Sequence, residues 1–281
     1  MITVELVKLV RRPRNWVSIA LLCGLPIVVA IFVAVTHVAP PPGQGPTLLS
    51  AVLSDGALFP AAALAIVLPI FLPIAVAVVA GDAIAGEASA GMLRYLLARP
   101  VARTRLLVAK LVALVAYVLL AVVAVALTSY VTGRLLFGSK PAAVTSSGIT
   151  TTNVVAASLS GTALTPADVL VRTAGVVAFI VVSMLGVGAI ALFLSTLSDS
   201  ALGATLGALA VLITSGVLVA LNSASAISPY LPTRYWLSWV DFFRQPILWR
   251  GIDQGFEIQA VYVVVFVAAA WANFASKDIT S

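Results

Sequence analysis

The sequence predicts an all-α integral membrane protein built as a bundle of six transmembrane helices. Three observations carry this expectation. Of the 281 residues, 62% are hydrophobic and only 9% are charged, and the mean hydropathy is +1.14. The charges gather in short islands between apolar runs of about 20 residues, each able to cross roughly 30 Å of hydrocarbon as a helix whose backbone hydrogen bonds are internal. The runs also lack the period-2 alternation that a membrane β-barrel requires.

The elements follow in chain order. Residues 1–13 suit an amphipathic interfacial helix, with Glu5, Lys8 and Arg12 on one stripe and Ile2, Leu6 and Leu9 on another. Such a helix is expected to lie along the membrane surface until Pro13 ends it. Residues 16–38 form the first span. They are too long for the apolar core of a signal peptide and lack a small-x-small cleavage site. A bulky Leu22 ahead of Cys23 also argues against a lipoprotein signal, and Cys23 reads as a small buried apolar residue.

After a Pro- and Gly-rich connector, residues 58–80 form the second span. Pro60, Pro69 and Pro73 favour kinks there, and Asp82 closes it. Residues 82–105 are the basic connection discussed below. The third span covers 111–133. Residues 134–168, rich in Ser, Thr and Gly, read as a solvated extracellular loop with room for a short helix over 154–159. The fourth span (173–194) and the fifth (201–221) are separated only by STLSDS, so they form a tight hairpin. Residues 225–256 concentrate Tyr230, Tyr235, Trp236, Trp239, Phe242, Phe243, Trp249 and Phe256 among Arg234, Arg244 and Arg250, a mixture that fits the headgroup layer. The sixth span covers 258–275.

Six spans place both termini on one side. That side holds ten bases and five acids, and the other six bases and five acids. The positive-inside bias therefore puts both termini in the cytoplasm of a multi-pass plasma-membrane protein, and makes 82–105 a cytoplasmic connection.

Several function classes lose support on these residues. The net charge of +6 lies in the membrane flanks and not in a patch that could track nucleic acid. The lone His37 and lone Cys23 make no metal cluster, and His37 reads as an interfacial residue at the outer end of the first span. Gly133-x4-Gly138-Ser139-Lys140 misses the phosphate-loop pattern, in which Lys follows the second Gly directly. No convergent catalytic set is present, so a membrane-bound enzyme is disfavoured. Gly203 and Gly207 form a GxxxG pair in the fifth span, suited either to packing within the subunit or to a subunit interface.

The basic connection is the least expected stretch. As a helix it places Glu87, Gly91, Arg94 and Ala98 on one face and Met92, Leu93, Leu96 and Leu97 over much of the rest, before Pro100 ends the turn. Lying along the membrane, it would turn its leucines to the bundle and a charged, small-residue ridge to the cytosol. Arg103, Arg105 and Lys110 flank a span, where they can instead enforce topology and meet anionic headgroups.

Gly86-Glu87 followed by Gly91-Met92-Leu93-Arg94-Tyr95-Leu96-Leu97-Ala98-Arg99-Pro100-Val101-Ala102-Arg103 and then Lys110 resembles the cytoplasmic motif of ABC-2 type permeases, the membrane subunits of type V ABC exporters. Ala88 and Ser89 stand where that family has mostly charged or polar residues, and Met92 where Thr is common. The resemblance implies that this stretch is a coupling helix, with Glu87, Gly91, Arg94, Tyr95, Arg99 and Arg103 meeting a cytoplasmic ABC ATPase. It implies re-entrant outer helices before the sixth span, with Tyr235, Trp236, Trp239, Phe242 and Phe243 at an outer interface or gate.

It further implies a non-catalytic subunit that binds no cofactor itself, with ATP and Mg in the partner ATPase. A second permease copy or a homologous permease would complete the transporter. The cargo would be hydrophobic or amphipathic, carried outward. The alternative, an ion-coupled secondary transporter, would normally bury a charge within its spans, and all six lack a central one.

Overall fold

The computed structural model describes residues 1–36, 56–89, 103–138, 144–146, 149–151, 156–160, 162–221 and 226–276. The fold is helical. In chain order the helices are α1 (Ile2–Arg11), α2 (Pro13–Thr36), α3 (Phe59–Val67), α4 (Phe71–Ser89), α5 (Arg103–Leu136), α6 (Pro166–Leu197), α7 (Ala201–Ala220) and α8 (Trp249–Ser276). Six of them, α2 and α4 to α8, are long and apolar enough to cross a membrane. A 3-10 turn at Gly56–Leu58 leads into α3, and two more, Ser228–Tyr230 and Ser238–Phe243, precede α8.

The two ends of the bundle are defined by contacts. At one end Lys8 of α1 meets Glu87 of α4, Trp271 Nε1 of α8 donates to Thr104 Oγ1 of α5 at 3.2 Å, and Asn273 Nδ2 donates to Thr196 O of α6 at 3.1 Å. Both terminal helices therefore reach the same end. At the opposite end Ser215 of α7 bonds Thr233, and Gln259 Nε2 of α8 donates to Pro232 O at 2.6 Å.

Of the six long helices, α6 is the most enclosed and α8 the least. Small residues explain this. A side chain at Gly188 would meet Leu114 of α5, and one at Gly186 would collide with the Gln259 amide of α8. Apolar chains gain little by leaving hydrocarbon for one another, so a bundle in that solvent depends on close van der Waals fit and interhelical hydrogen bonds.

The expected second span is two helices. Pro69 has no N–H to give to the preceding turn, so the helical bonding is interrupted after Leu68, which itself keeps helical angles, and residues 68–70 form a turn between α3 and α4. Helix α4 then runs through Asp82 to Ser89. Asp82 does not close the span as expected, because Arg12 and Arg14 neutralise it.

Other boundaries also move outward. Helix α6 begins at Pro166, where Thr165 and Asp168 form a reciprocal capping box with Pro at the first helical position. Helix α8 begins at Trp249, inside the expected aromatic connection.

The stretch read as a loop contains two antiparallel hairpins, β1 (Val144–Ser146) with β2 (Ile149–Thr151), and β3 (Ala156–Ala157) with β4 (Ala163–Leu164). The helix expected over 154–159 is replaced at Ala156–Ala157 by strand. Ser158 Oγ accepts from the backbone N–H groups of Ser160 and Thr162, which closes the turn locally.

Most rings of the aromatic connection are turned inward. Trp236, Trp239, Phe242 and Phe243 are buried, and Tyr235 is half-buried. Phe242 packs edge-on to Trp249 with centroids 5.9 Å apart, and Trp239 edge-on to Phe243 at 6.4 Å. Arg172 of α6 donates to the carbonyls of Phe242 and Arg244, both at 2.9 Å, and so fixes the end of this 3-10 turn. Only Tyr230 and Trp249 of the group are well exposed.

Two helix crossings depend on glycine. Gly56 and Gly133 sit so close that a Cβ on either would strike the carbonyl of the other. A Cβ on Gly81 of α4 would lie 2.5 Å from Thr205 Oγ1 and 3.0 Å from Thr205 N of α7. Replacing Gly81 with Val should therefore force α4 and α7 apart at a cost of about 1–3 kcal/mol. Thermal unfolding of the full chain in detergent checks this: a melting temperature equal to the parent's would show that the crossing is not tight.

Candidate functional site

Glu87 lies on the last turn of α4 and is 2% exposed. The expected docking ridge would need it facing solvent; it faces the bundle instead. Lys110 on α5, itself 4% exposed, places Nζ 2.7 Å from Glu87 Oε2. Lys8 Nζ on α1 lies 3.0 Å from Glu87 Oε1 and 2.7 Å from Glu5 Oε1. Glu5 Oε2 closes the ring, 3.8 Å from Lys110. Two acids and two bases thus alternate around a neutral centre that joins three helices.

The ring follows from local sequence. Glu5 and Lys8 are three residues apart on α1, so they share a face. Burial pushes the Lys8 ammonium down, but its hydrogen bonds to Glu5 and Glu87 outweigh that and hold its pKa above the usual lysine value. Its contribution to stability is then complete below the unfolded lysine pKa and is lost only as pH rises through the raised one.

Beside the ring, Arg12 Nη1 contacts Asp82 Oδ2 at 3.0 Å, and Arg14 pairs with the same oxygen. The elbow between α1 and α2 is held by two side chains of α2. Asn15 Nδ2 donates to Leu9 O at 2.9 Å, and Trp16 Nε1 to Val10 O at 2.7 Å. These are carbonyls of the last turn of α1, which have no partner within the helix.

The last turns of α4 are also held from behind. Ser195 Oγ of α6 donates to Gly81 O at 2.7 Å and accepts from Ile84 N and Ala85 N at 3.1 and 2.9 Å. One hydroxyl thereby uses its donor and both lone pairs on the backbone of α4.

What this arrangement can do is mechanical. Glu87 is two residues before the end of α4, and Lys110 seven residues into α5. The ring therefore grips both roots of the basic connection. Its two carboxylates are already held by lysines, so the cluster has no free acid or base to offer a reaction. Among the described residues no group of three His, Cys, Asp or Glu could hold a metal ion.

The other sequence-derived residues are placed unevenly. Gly91, Arg94, Tyr95 and Arg99 lie outside the described residues, as does His37, while Arg103 is the first residue of α5. Gly203 is exposed and Gly207 half-buried. Gly207 faces Leu194, so this pair is not the close backbone crossing within the subunit; that crossing is Gly81 with Thr205. Single glycines with no repeat around them gave no signal for it. Lys8 and Ser195 were missed for a related reason: their partners are remote in sequence.

A second feature lies beyond the α3–α4 break. Leu68, Pro73 and Ile74 face Leu212 and Gly216 of α7 across an apolar groove of about 360 Å³, with Trp236 at its edge.

A family model described as "Protein of unknown function (DUF2705)" matches residues 51–280. No curated protein matches the chain.

Removing one partner of a buried pair leaves an uncompensated charge, at a cost of about 3–5 kcal/mol. Glu87→Gln should therefore lower the melting temperature strongly. The exchange Glu87→Lys with Lys110→Asp should do less harm than Glu87→Lys alone. Equal losses in the single and double variants would show that the two residues are not coupled.

Proposed function

The chain belongs to the DUF2705 family, and from its own residues we propose that it is the permease subunit of an ATP-driven ABC-2 type exporter in the plasma membrane. Both termini are cytoplasmic in this reading, and separate ATPase subunits bind ATP and Mg. The observation that carries it is the grip of the Glu87–Lys110–Lys8 ring on both ends of the segment that holds Gly91, Arg94, Tyr95, Arg99 and Arg103.

A docking segment transmits force only if its roots are stiff. Ser195 and the ion ring supply that stiffness on α4 and α5. Closure of two ATPase subunits pushes residues 90–102, and the push enters α4 below the break at 68–70. Because α4 also borders the apolar groove, its tilt changes the groove's shape. A hydrophobic or amphipathic cargo would follow that surface, at the interface with a second permease copy or a homologous permease. Tyr235, Trp236, Trp239, Phe242 and Phe243 would plug the outer end until the helices separate.

Glu87 takes a different role here from direct contact with the ATPase. It is a positioning residue, and Arg94 is the better candidate for the contact itself. An ion-coupled secondary transporter would need a carboxylate that can release its partner, whereas Glu87 is held by two lysines.

Arg94→Ala should leave insertion and thermal stability intact while ATP hydrolysis by the co-purified ATPase no longer drives transport in vesicles. Transport that proceeds without any ATPase and collapses with a protonophore would favour the secondary transporter instead.

A further inference from the structure

Helix α1 is turned opposite to the usual interfacial helix. Its charged stripe is turned to the bundle: Glu5 is paired there with Lys110, Lys8 with Glu87 and Arg12 with Asp82, the Lys8 and Arg12 side chains each keeping 35% exposure. Leu9 beside them is 8% exposed. The outward face is mostly aliphatic, with Ile2, Val4, Val7 and Val10 between 44% and 57% exposed; Thr3 and, in the last turn, Arg11 are exposed on it as well.

That stripe does not stop at the elbow. Trp16 donates to Val10 O, and α2 continues outward with Trp16, Val17 and Leu21 exposed at 48%, 57% and 70%. The apolar face of α1 is thus continuous with that of a helix long and apolar enough to span a membrane. A helix with charges inward and valines outward is the wrong way round for water, since it exposes aliphatic surface and desolvates ions. In hydrocarbon both features become favourable, because the inward ions are paired and the valines are solvated by chains, while Arg11 in the last turn can extend its guanidinium to the headgroups along its aliphatic stem.

We infer that the Ile2–Val4–Val7–Val10 face of α1 is a lipid-contact surface whose partner is the acyl chains of the adjacent leaflet, with α1 seated beneath the headgroups and not upon them. The aliphatic positions recognise chains and carry no headgroup preference of their own. This inference rests on reading the six long helices as spans and is independent of the exporter assignment.

The sole cysteine, Cys23, is buried and can be replaced by Ser to give a background for spin labels. Single cysteines at Val4, Val7 and Val10, with Leu21 as the reference, would be nitroxide-labelled in the full chain and reconstituted into phosphatidylcholine vesicles. Collision rates are then measured with oxygen, which concentrates in hydrocarbon, and with a water-soluble nickel chelate. The expected result is an oxygen-to-nickel ratio several-fold above that of a water-exposed label and close to the Leu21 value at all three positions, unchanged when phosphatidylglycerol is added.

Strong nickel collision at the three sites would overturn the inference by showing that the face meets water. Immobilised labels shielded from both colliders would overturn it by showing a protein cover, whether a second copy or another subunit. A high ratio that appears only with phosphatidylglycerol would overturn the claim that chains and not headgroups are recognised. Three half-exposed positions are used so that misfolding of one variant leaves two readings.

Discussion

The architecture at the end holding both terminal helices depends on one ion ring: the Glu87 carboxylate lies between Lys110 and Lys8, with Glu5 completing the circuit. Ions leave water at a cost of several kcal/mol each, and mutual attraction repays it only when every charge has a close opposite partner. The ring meets that condition by drawing α1, α4 and α5 together. Once α1 is held there, its valines are left on the outward face, and the elbow to α2 tightens around Asn15 and Trp16.

The same logic explains the polar contacts deeper in the bundle. Hydrocarbon offers no hydrogen bonds, so a buried hydroxyl that bonds the backbone of a neighbouring helix fixes one helix on the other. Ser195 does this against the Gly81 turn of α4, and Thr205 approaches the same glycine from α7, where a side chain would have kept it away. Gly81 therefore lies at a junction of three helices just before the ion ring. The break at Pro69 separates this rigid part of α4 from α3, so the chain has a stiff lower lever and a discontinuity beside the apolar groove.

Much of the fold was legible because hydrophobicity over a window of residues is a local property. Six long apolar helices were expected and six are present, but α4 covers only the later part of the expected second span, whose first half is the separate helix α3. The extra turn at Pro166 had a readable cause, a Thr-Pro-Ala-Asp capping box, whereas the extension of α4 to Ser89 goes with the pairing of Asp82 to Arg12, 70 residues away in sequence. The inward packing of the aromatic connection was not legible, since rings mixed with arginines do not say which side chains will be enclosed; the contacts with Arg172 and α8 decide that.

Sequence by itself determined the class of the protein: how many helices could cross a membrane, and where charges must gather, because apolar length and charge spacing need no knowledge of neighbours. Tertiary structure alone decided which way the charges point. Glu87 and Lys8 stand 79 residues apart, and nothing local to either reveals that the acid will be shared with Lys110 and enclosed. Pairing across helices is set by how the helices cross, and the crossing here is governed by the glycines and hydroxyls of three different segments.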